Sequence, residues 1–152
     1  MLRKFFIFII CLIPWFAATL VPLDYSYYKE IILPWFAPPN IFYGIAWTLV
    51  YIFISISIVC ILHSYKINEV NNSYKITLLV NYLFNQSYTL VAFGLKNNFL
   101  GFVSCVGTLL SLLFLMYETY NLKKSCTKYL IPYLLLSIFA VILSFTIFIL
   151  NL

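Results

Sequence analysis

Charge is what this chain has least of. Only 9% of its 152 residues are Asp, Glu, Lys or Arg, and 64% are hydrophobic. A water-soluble domain carries about 25% charged residues. So little charge cannot cover a soluble surface, and the solvent around most of the chain must be lipid. Other absences narrow the chemistry. Asp24, Glu30, Glu69 and Glu118 all fall at the ends of apolar runs or between them. A proton-coupled pump or antiporter needs an ionisable group inside a span, so neither is favoured. The single histidine, His63, closes an apolar run, and no haem motif accompanies it. It reads as an interfacial residue rather than an iron ligand. There is no glycine-rich phosphate loop, nucleophile elbow or Ser/His/Asp set, so no catalytic residue and no metal ligand is assigned. Cys11, Cys60, Cys105 and Cys126 form no CxxC pair, and three of them lie inside apolar runs. They read as small packing residues, with zinc, iron–sulfur and disulfide frameworks not expected. No basic patch is interleaved with a soluble fold, which excludes nucleic acid as a partner.

What is present is a set of charge-free runs: Phe5–Leu23, Ile31–Tyr65, Ile76–Leu95, Asn97–Tyr117 and Tyr129–Leu152. A bilayer core of about 30 Å needs roughly 20 apolar residues as helix. The second run is too long for one span, and Pro34, Pro38 and Pro39 divide it into a loop and a helix. The expectation is a single all-α membrane domain, residues 1–152, built as a five-transmembrane-helix bundle. The helices are placed at roughly 4–22 (kinked at Pro14), 40–63, 75–94, 98–118 and 129–150. A β-barrel is excluded, because nothing alternates with period two and each run far exceeds a barrel strand. Met1 to Lys4, the apolar Phe5–Ile13 and Ala17-Ala18-Thr19 together resemble a secretory signal peptide. The apolar stretch continues through Trp15, Phe16 and Val21, long enough to span, and is read as the first helix.

With five spans, Arg3, Lys4, Lys66, Lys75, Lys123, Lys124 and Lys128 lie on one side, and only Lys29 and Lys96 on the other. The positive-inside rule then puts the N-terminus in the cytoplasm. The formal charge of +5 reflects this topology.

Four helix faces carry polar or small residues. In the second helix, Asn40, Gly44, Trp47, Tyr51 and Ser55 recur every three or four residues, a stripe on an otherwise apolar rod. In the third, Asn81, Asn85, Tyr88 and Ala92 share a face, with Gln86 and Ser87 beside it. Amides inside a membrane rarely face lipid; they bind neighbouring helices or line a cavity, and both readings stay open. The fourth helix has Gly101, Ser104, Gly107, Thr108 and Ser111, which suit close helix packing. In the fifth, Ser137, Ala140 and Ser144 form a narrow face that fits either a helix or a flat ligand. The loop over 23–39 holds Tyr25, Tyr27, Tyr28, Trp35 and Phe36, as an interfacial belt or a lid. An uncharged interior lined by aromatics and amides suits a large, flat, mostly apolar ligand.

These residues resemble the TspO family, the tryptophan-rich sensory proteins that include the mitochondrial translocator protein or peripheral benzodiazepine receptor. The family has Trp-Tyr, then Pro, an aromatic and Pro-Pro before the second helix; here stand Tyr27-Tyr28, Pro34, Phe36, Pro38 and Pro39. Its aromatic-Gly-x-x-Trp-x-x-x-Tyr pattern is matched by Tyr43, Gly44, Trp47 and Tyr51. Its third-helix motif is matched in part by Asn81, Asn85, Phe93 and Gly94, with Gln86 and Tyr88 in place of tryptophans. Its fifth-helix motif is matched by Pro132, Tyr133, Leu134, Phe139, Ala140 and Leu143, with Leu136 in place of the tryptophan and Ser144 in place of the asparagine.

The resemblance implies a multi-pass protein of the bacterial inner membrane, often a homodimer, with no required cofactor. It implies a receptor or sensor that binds porphyrins or haem in a pocket within the helix bundle, with sterols and benzodiazepine-site molecules as further ligands. The pocket is expected between helices 1, 2, 3 and 5 on the side of the first loop. Trp47, Tyr51, Asn85, Tyr88 and Phe36 would stack on or hydrogen-bond the ligand, and Tyr43, Gly44, Ala140 and Ser144 would complete the site. Lys29 or Lys96 could pair with propionates. Two other readings are light-dependent porphyrin breakdown, which Leu136 weakens by removing a pocket tryptophan, and transport of porphyrin or sterol-like molecules. The cholesterol motif of mammalian members has no counterpart in Phe145–Leu152.

Overall fold

The computed structural model describes residues 2–20 and 26–152, without the side chains of residues 2–4 and Tyr28. The expected end of the first helix at 22 and the aromatic Tyr25 therefore lie outside the described residues. The first rod is α-helical only over Leu2–Leu12 (α1) and continues as a 3-10 helix over Ile13–Leu20. Pro14 has no N–H for the α ladder, so the expected kink at this residue takes the form of a tightened coil. The carbonyls and amides that lose α-helical partners are met by another helix. Tyr82 Oη donates to Pro14 O at 3.0 Å. Gln86 Nε2 donates to Trp15 O at 3.1 Å, and Gln86 Oε1 accepts from the Ala18 N–H at 2.9 Å.

A single turn, Tyr27–Glu30 (α2), precedes the proline segment. The next helix, Asn40–Leu62 (α3), begins directly after the proline pair, with Pro39 in the capping position at φ −56° and ψ 146°. Asn72–Thr89 (α4) starts earlier than the expected residue 75, because Asn71 caps it by accepting from the Tyr74 N–H at 2.8 Å. It runs into a π-helical turn over Leu90–Gly94. Lys96 turns the chain with φ 49°, and Asn97 caps the next helix by accepting from the Leu100 N–H at 2.9 Å. That helix, Asn98–Thr127 (α5), passes well beyond the expected residue 118 and is broken at Lys123 (φ −161°, ψ 99°). A 3-10 turn leads to Ile131–Leu150 (α6). No strand occurs among the described residues.

The helices bury polar groups and expose apolar ones. Asn81, Thr119, Ser55 and Ser57 are buried, whereas Ile41, Leu79, Phe114 and Leu135 are each more than half exposed. That is the arrangement of a bundle whose solvent is hydrocarbon. By length and composition, α3 and the nearly continuous stretch Asn98–Leu150 that holds α5 and α6 can cross a bilayer. Phe5–Leu20 is apolar but shorter. The closest packing pairs α4 with α5: a Cβ on Gly101 would lie 3.2 Å from that of Ala92, and one on Gly107 would collide with the Phe84 ring. Gly101 and Gly107 of α5 thus serve close packing.

The cysteine expectation is corrected. Cys60 and Cys126 form a disulfide with their Cα atoms 5.8 Å apart. They are 66 residues apart in sequence, and no local motif announces the pair. It forms because α3 and α5 end on the same face of the bundle. There Tyr65 Oη donates to Leu122 O at 3.0 Å and Ser57 Oγ to Cys126 O at 3.2 Å. Cys11 and Cys105 are free thiols. In denatured, unreduced protein, a maleimide mass tag should therefore add to two cysteines, and to all four after reduction. The double substitution Cys60→Ser/Cys126→Ser should cost about 2–4 kcal/mol of stability, read as a lowered thermal midpoint in detergent.

Candidate functional site

One end of the bundle is hollow. A cavity of about 470 Å³ opens where the 3-10 segment ends and α3 begins, within the range of small-molecule sites. The 3-10 segment contributes Phe16 and Thr19. From α3 come Asn40, Tyr43, Gly44, Trp47, Thr48 and Tyr51, five of the six on the stripe or the aromatic motif legible in the sequence. Asn85, Tyr88 and Thr89 of α4 and Phe93 of the π turn form the facing wall. The floor is Cys105 and Thr108 of α5, with Leu136, Ser137, Phe139, Ala140 and Leu143 of α6. None of these residues carries a charge. The cavity thus lies between helices 1, 2, 3 and 5 of the sequence numbering, on the first-loop side, with α5 as an additional wall.

The aromatics make flat surfaces. Trp47 lies 6.0 Å from Tyr51 at 36° and meets Tyr133 edge-on at 6.1 Å. Behind them Trp15, 3% exposed, stacks on Tyr51 at 5.6 Å. Tyr88 meets Phe93 edge-on at 6.2 Å. Gly44 leaves room: no atom lies within 4 Å of where its Cβ would be.

A hydrogen-bonded chain supports this wall. Tyr51 Oη and Gln86 Nε2 both donate to Asn85 Oδ1 at 3.1 Å. Asn85 Nδ2 donates to Tyr133 Oη, which donates to Asn81 Oδ1, each at 3.1 Å. Asn81 Nδ2 donates to Thr108 O and Ser111 Oγ at 3.0 Å. The amides are therefore helix glue and cavity lining at once. Tyr51 and Asn85 both line the cavity, with the polar atoms named here already engaged.

Seven of the nine residues expected at the site line the cavity: Trp47, Tyr51, Asn85, Tyr88, Tyr43, Gly44 and Ala140. Phe36 does not; it packs edge-on behind Phe139 at 6.4 Å. Ser144 does not either. It donates to Ala140 O at 2.7 Å and borders a separate small crevice with Tyr88 and Gly101. Phe16, Thr19, Cys105, Thr108 and Phe139 line the cavity as well and were not anticipated as site residues. Phe16 follows the break at Pro14, and Cys105 and Thr108 lie on a face that packing alone explains, so neither gives a signal in sequence. Lys96 stands outside the cavity, its Nζ 5.6 Å over the Tyr27 ring, and Lys29 is exposed on α2.

The sequence model of the TspO/MBR family matches residues 6–150. The chain belongs to the TspO/MBR family. It is 33% identical over 135 residues to a tryptophan-rich protein TspO of Bacillus cereus, covering 89% of this chain and 87% of that one. It is 29% identical to the uncharacterized membrane protein YtaB of Bacillus subtilis, covering 90% and 87% of the two chains. A tryptophan-rich protein TspO of Archaeoglobus fulgidus is 29% identical, over 83% and 80%. In this TspO-family chain, Leu136 stands on the cavity floor, at the position where the fifth-helix motif has tryptophan.

Asn85 is the hub of the polar chain, and its loss has a defined consequence. Asn85→Leu should strand the Tyr51 hydroxyl in a nearly dry site and cost about 1–3 kcal/mol. Tyr51→Phe added to Asn85→Leu should recover part of that loss, since it removes the stranded hydroxyl, while the Gln86 N–H that also met Asn85 Oδ1 stays unpaired. Thermal midpoints of the two single variants and the double variant in detergent check this.

Proposed function

We propose that this TspO-family membrane protein is a receptor or sensor that binds porphyrin-type tetrapyrroles, haem included, in the cavity at the first-loop end. The observation that carries the reading is an uncharged, aromatic-walled space of about 470 Å³ inside the bundle. Ring faces such as Trp47 and Tyr43 suit a flat π-system, which gains by offset stacking and edge contacts. The absence of charge on the walls favours the ring over its carboxylates. Those would remain at the mouth, where Lys96 and Lys29 supply positive charge on the same end of the bundle. Sterol-like polycycles share the flat apolar shape and are the second ligand class.

The membrane arrangement that fits this reading has five spans: the α1 and 3-10 rod, α3, α4 with its π turn, α5 and α6. The N-terminus lies in the cytoplasm of a bacterial inner membrane, because the lysines at 66, 75, 123, 124 and 128 gather at the end opposite the cavity. That end also holds the disulfide, and the cytosol keeps accessible thiols reduced. Cys126 is fully buried and Cys60 partly so, which limits the access of a soluble reductant. A pair of such chains would form the homodimer. Oxidative breakdown of a bound ring would be at most weak: Trp47 remains as a redox-active side chain on the cavity wall, but Leu136 offers none where the family's motif has tryptophan.

Binding is tested by titrating the detergent-purified protein with protoporphyrin and haem and following the porphyrin absorbance. Saturable binding is expected. Trp47→Ala should weaken it about two- to tenfold, the worth of one aromatic contact, and Gly44→Phe should fill the empty space and abolish it while leaving the fold intact. Wild-type affinity in both variants would remove the cavity as the site. For orientation, a C-terminal reporter active only outside the cytoplasm should be active; a signal from the cytoplasmic reporter alone would invert the topology.

A further inference from the structure

Among the described residues, two buried side-chain polar atoms have no hydrogen-bond partner: Thr127 Oγ1 and Ser137 Oγ. Only Ser137 belongs to the cavity. A helical serine or threonine in an apolar setting ordinarily donates to the carbonyl one turn back. Its neighbours in the bundle do so: Ser55 to Tyr51 O, Thr108 to Ser104 O, Thr119 to Leu115 O and Ser144 to Ala140 O, at 2.6–2.8 Å. Ser137 is 1% exposed and makes no such bond. A serine side chain has three staggered positions about χ1, and Ser137 is a lining residue of the cavity. The hydroxyls of two other lining residues are engaged within the protein: Thr48 Oγ1 donates to Gly44 O and Thr108 Oγ1 to Ser104 O, at 2.7 and 2.8 Å. The amides of Asn81 and Asn85 are taken up by Tyr133, Thr108 and Ser111, and no lining residue is charged.

We propose that Ser137 is the polar anchor of the cavity: a specificity-determining residue that selects flat ligands carrying an uncharged hydrogen-bonding group, a hydroxyl or carbonyl, on the edge inserted towards α5 and α6. The inference rests on the reading of the cavity as a ring-binding site and adds which edge chemistry that site prefers. A carboxylate on the inserted edge is disfavoured, since burying a charge without a partner is costly. A hydrocarbon edge is accepted but leaves the hydroxyl unpaired. Leu136, the adjacent floor residue, is apolar and offers no hydrogen bond, so on this stretch of the floor the polar group is Ser137.

Two porphyrins separate the cases. Protoporphyrin has vinyl groups on the edge away from its propionates; haematoporphyrin has 1-hydroxyethyl groups there and is otherwise the same. The measured quantity is the ratio of their affinities in wild type, Ser137→Ala and Ser137→Thr. Ser137→Ala should shift the ratio against haematoporphyrin by roughly two- to tenfold, the worth of one neutral hydrogen bond. Ser137→Thr, which keeps the hydroxyl, should retain the wild-type ratio. A ligand-free arm stands beside it: because the hydroxyl is unpaired in the empty protein, Ser137→Ala should melt at the same temperature as wild type or higher. If both porphyrins bind and the ratio does not move in Ser137→Ala, the anchor is overturned and the binding site stands. If neither binds, the reading of the cavity fails and the anchor with it. A lowered melting temperature in Ser137→Ala would show that the hydroxyl is already satisfied within the protein, and would also overturn it.

Discussion

In hydrocarbon a polar side chain has no solvent to turn to, so each one must be met inside the protein. The chain from Asn81 through Tyr133 to Asn85 and Tyr51 is where this requirement shapes the bundle. It links α3, α4 and α6 directly, and through Thr108 and Ser111 it reaches α5. Because each of these bonds needs its partner within about 3 Å, the four helices are held at fixed rotation about their axes. The stripe of α3 that carries Tyr43, Gly44 and Trp47 is thereby turned inward. The cavity walls are a by-product of that registration.

The break at Pro14 depends on the same helix. A proline in an apolar rod exposes carbonyls that lipid cannot satisfy. Gln86 repairs the break by bonding Trp15 O and the Ala18 N–H, while Tyr82 takes Pro14 O. The tightened segment then sets Trp15 flat against Tyr51 and places Phe16 on the cavity wall. A local defect in one helix and an amide in another are thus one structural unit, and Gln86 joins it to the polar chain through Asn85.

Features with local causes were legible in the sequence. Pro38-Pro39 marks the start of α3, the helical spacing of Asn40, Gly44, Trp47 and Tyr51 marks its inner stripe, and Gly101 and Gly107 mark a close helix contact. The start of α4 at Asn72 was also written locally, in the capping Asn71, but the lysine at 75 masks it when runs are delimited by charge. The extension of α5 beyond residue 118 escaped for a related reason: Glu118 ends the apolar run without ending the helix, which runs on to the break at Lys123. Pairings between distant residues were not legible. Nothing near Cys60 points to Cys126, and nothing near Phe16 or Thr108 distinguishes a cavity wall from a packed core. Those facts depend on where whole helices end in space.

The bundle is unequal along its length, and the inequality follows from where its bonds lie. At the lysine-rich end, Ile54, Ile61, Leu112, Leu115 and Leu130 are nearly or fully buried, and the Cys60–Cys126 disulfide joins α3 to α5. At the other end α3 begins on a proline, carries Gly44 with open space beside it, and faces a π turn in place of a further α turn. Side chains that would fill the gap in a closed core are absent there: Ala140 and Ser137 are small, and Leu136 stands where the family motif has a larger ring. Helices held firmly at one end and packed around empty space at the other need little rearrangement to accept a flat molecule. The firm end keeps the aromatic faces in register, and the open end supplies the volume.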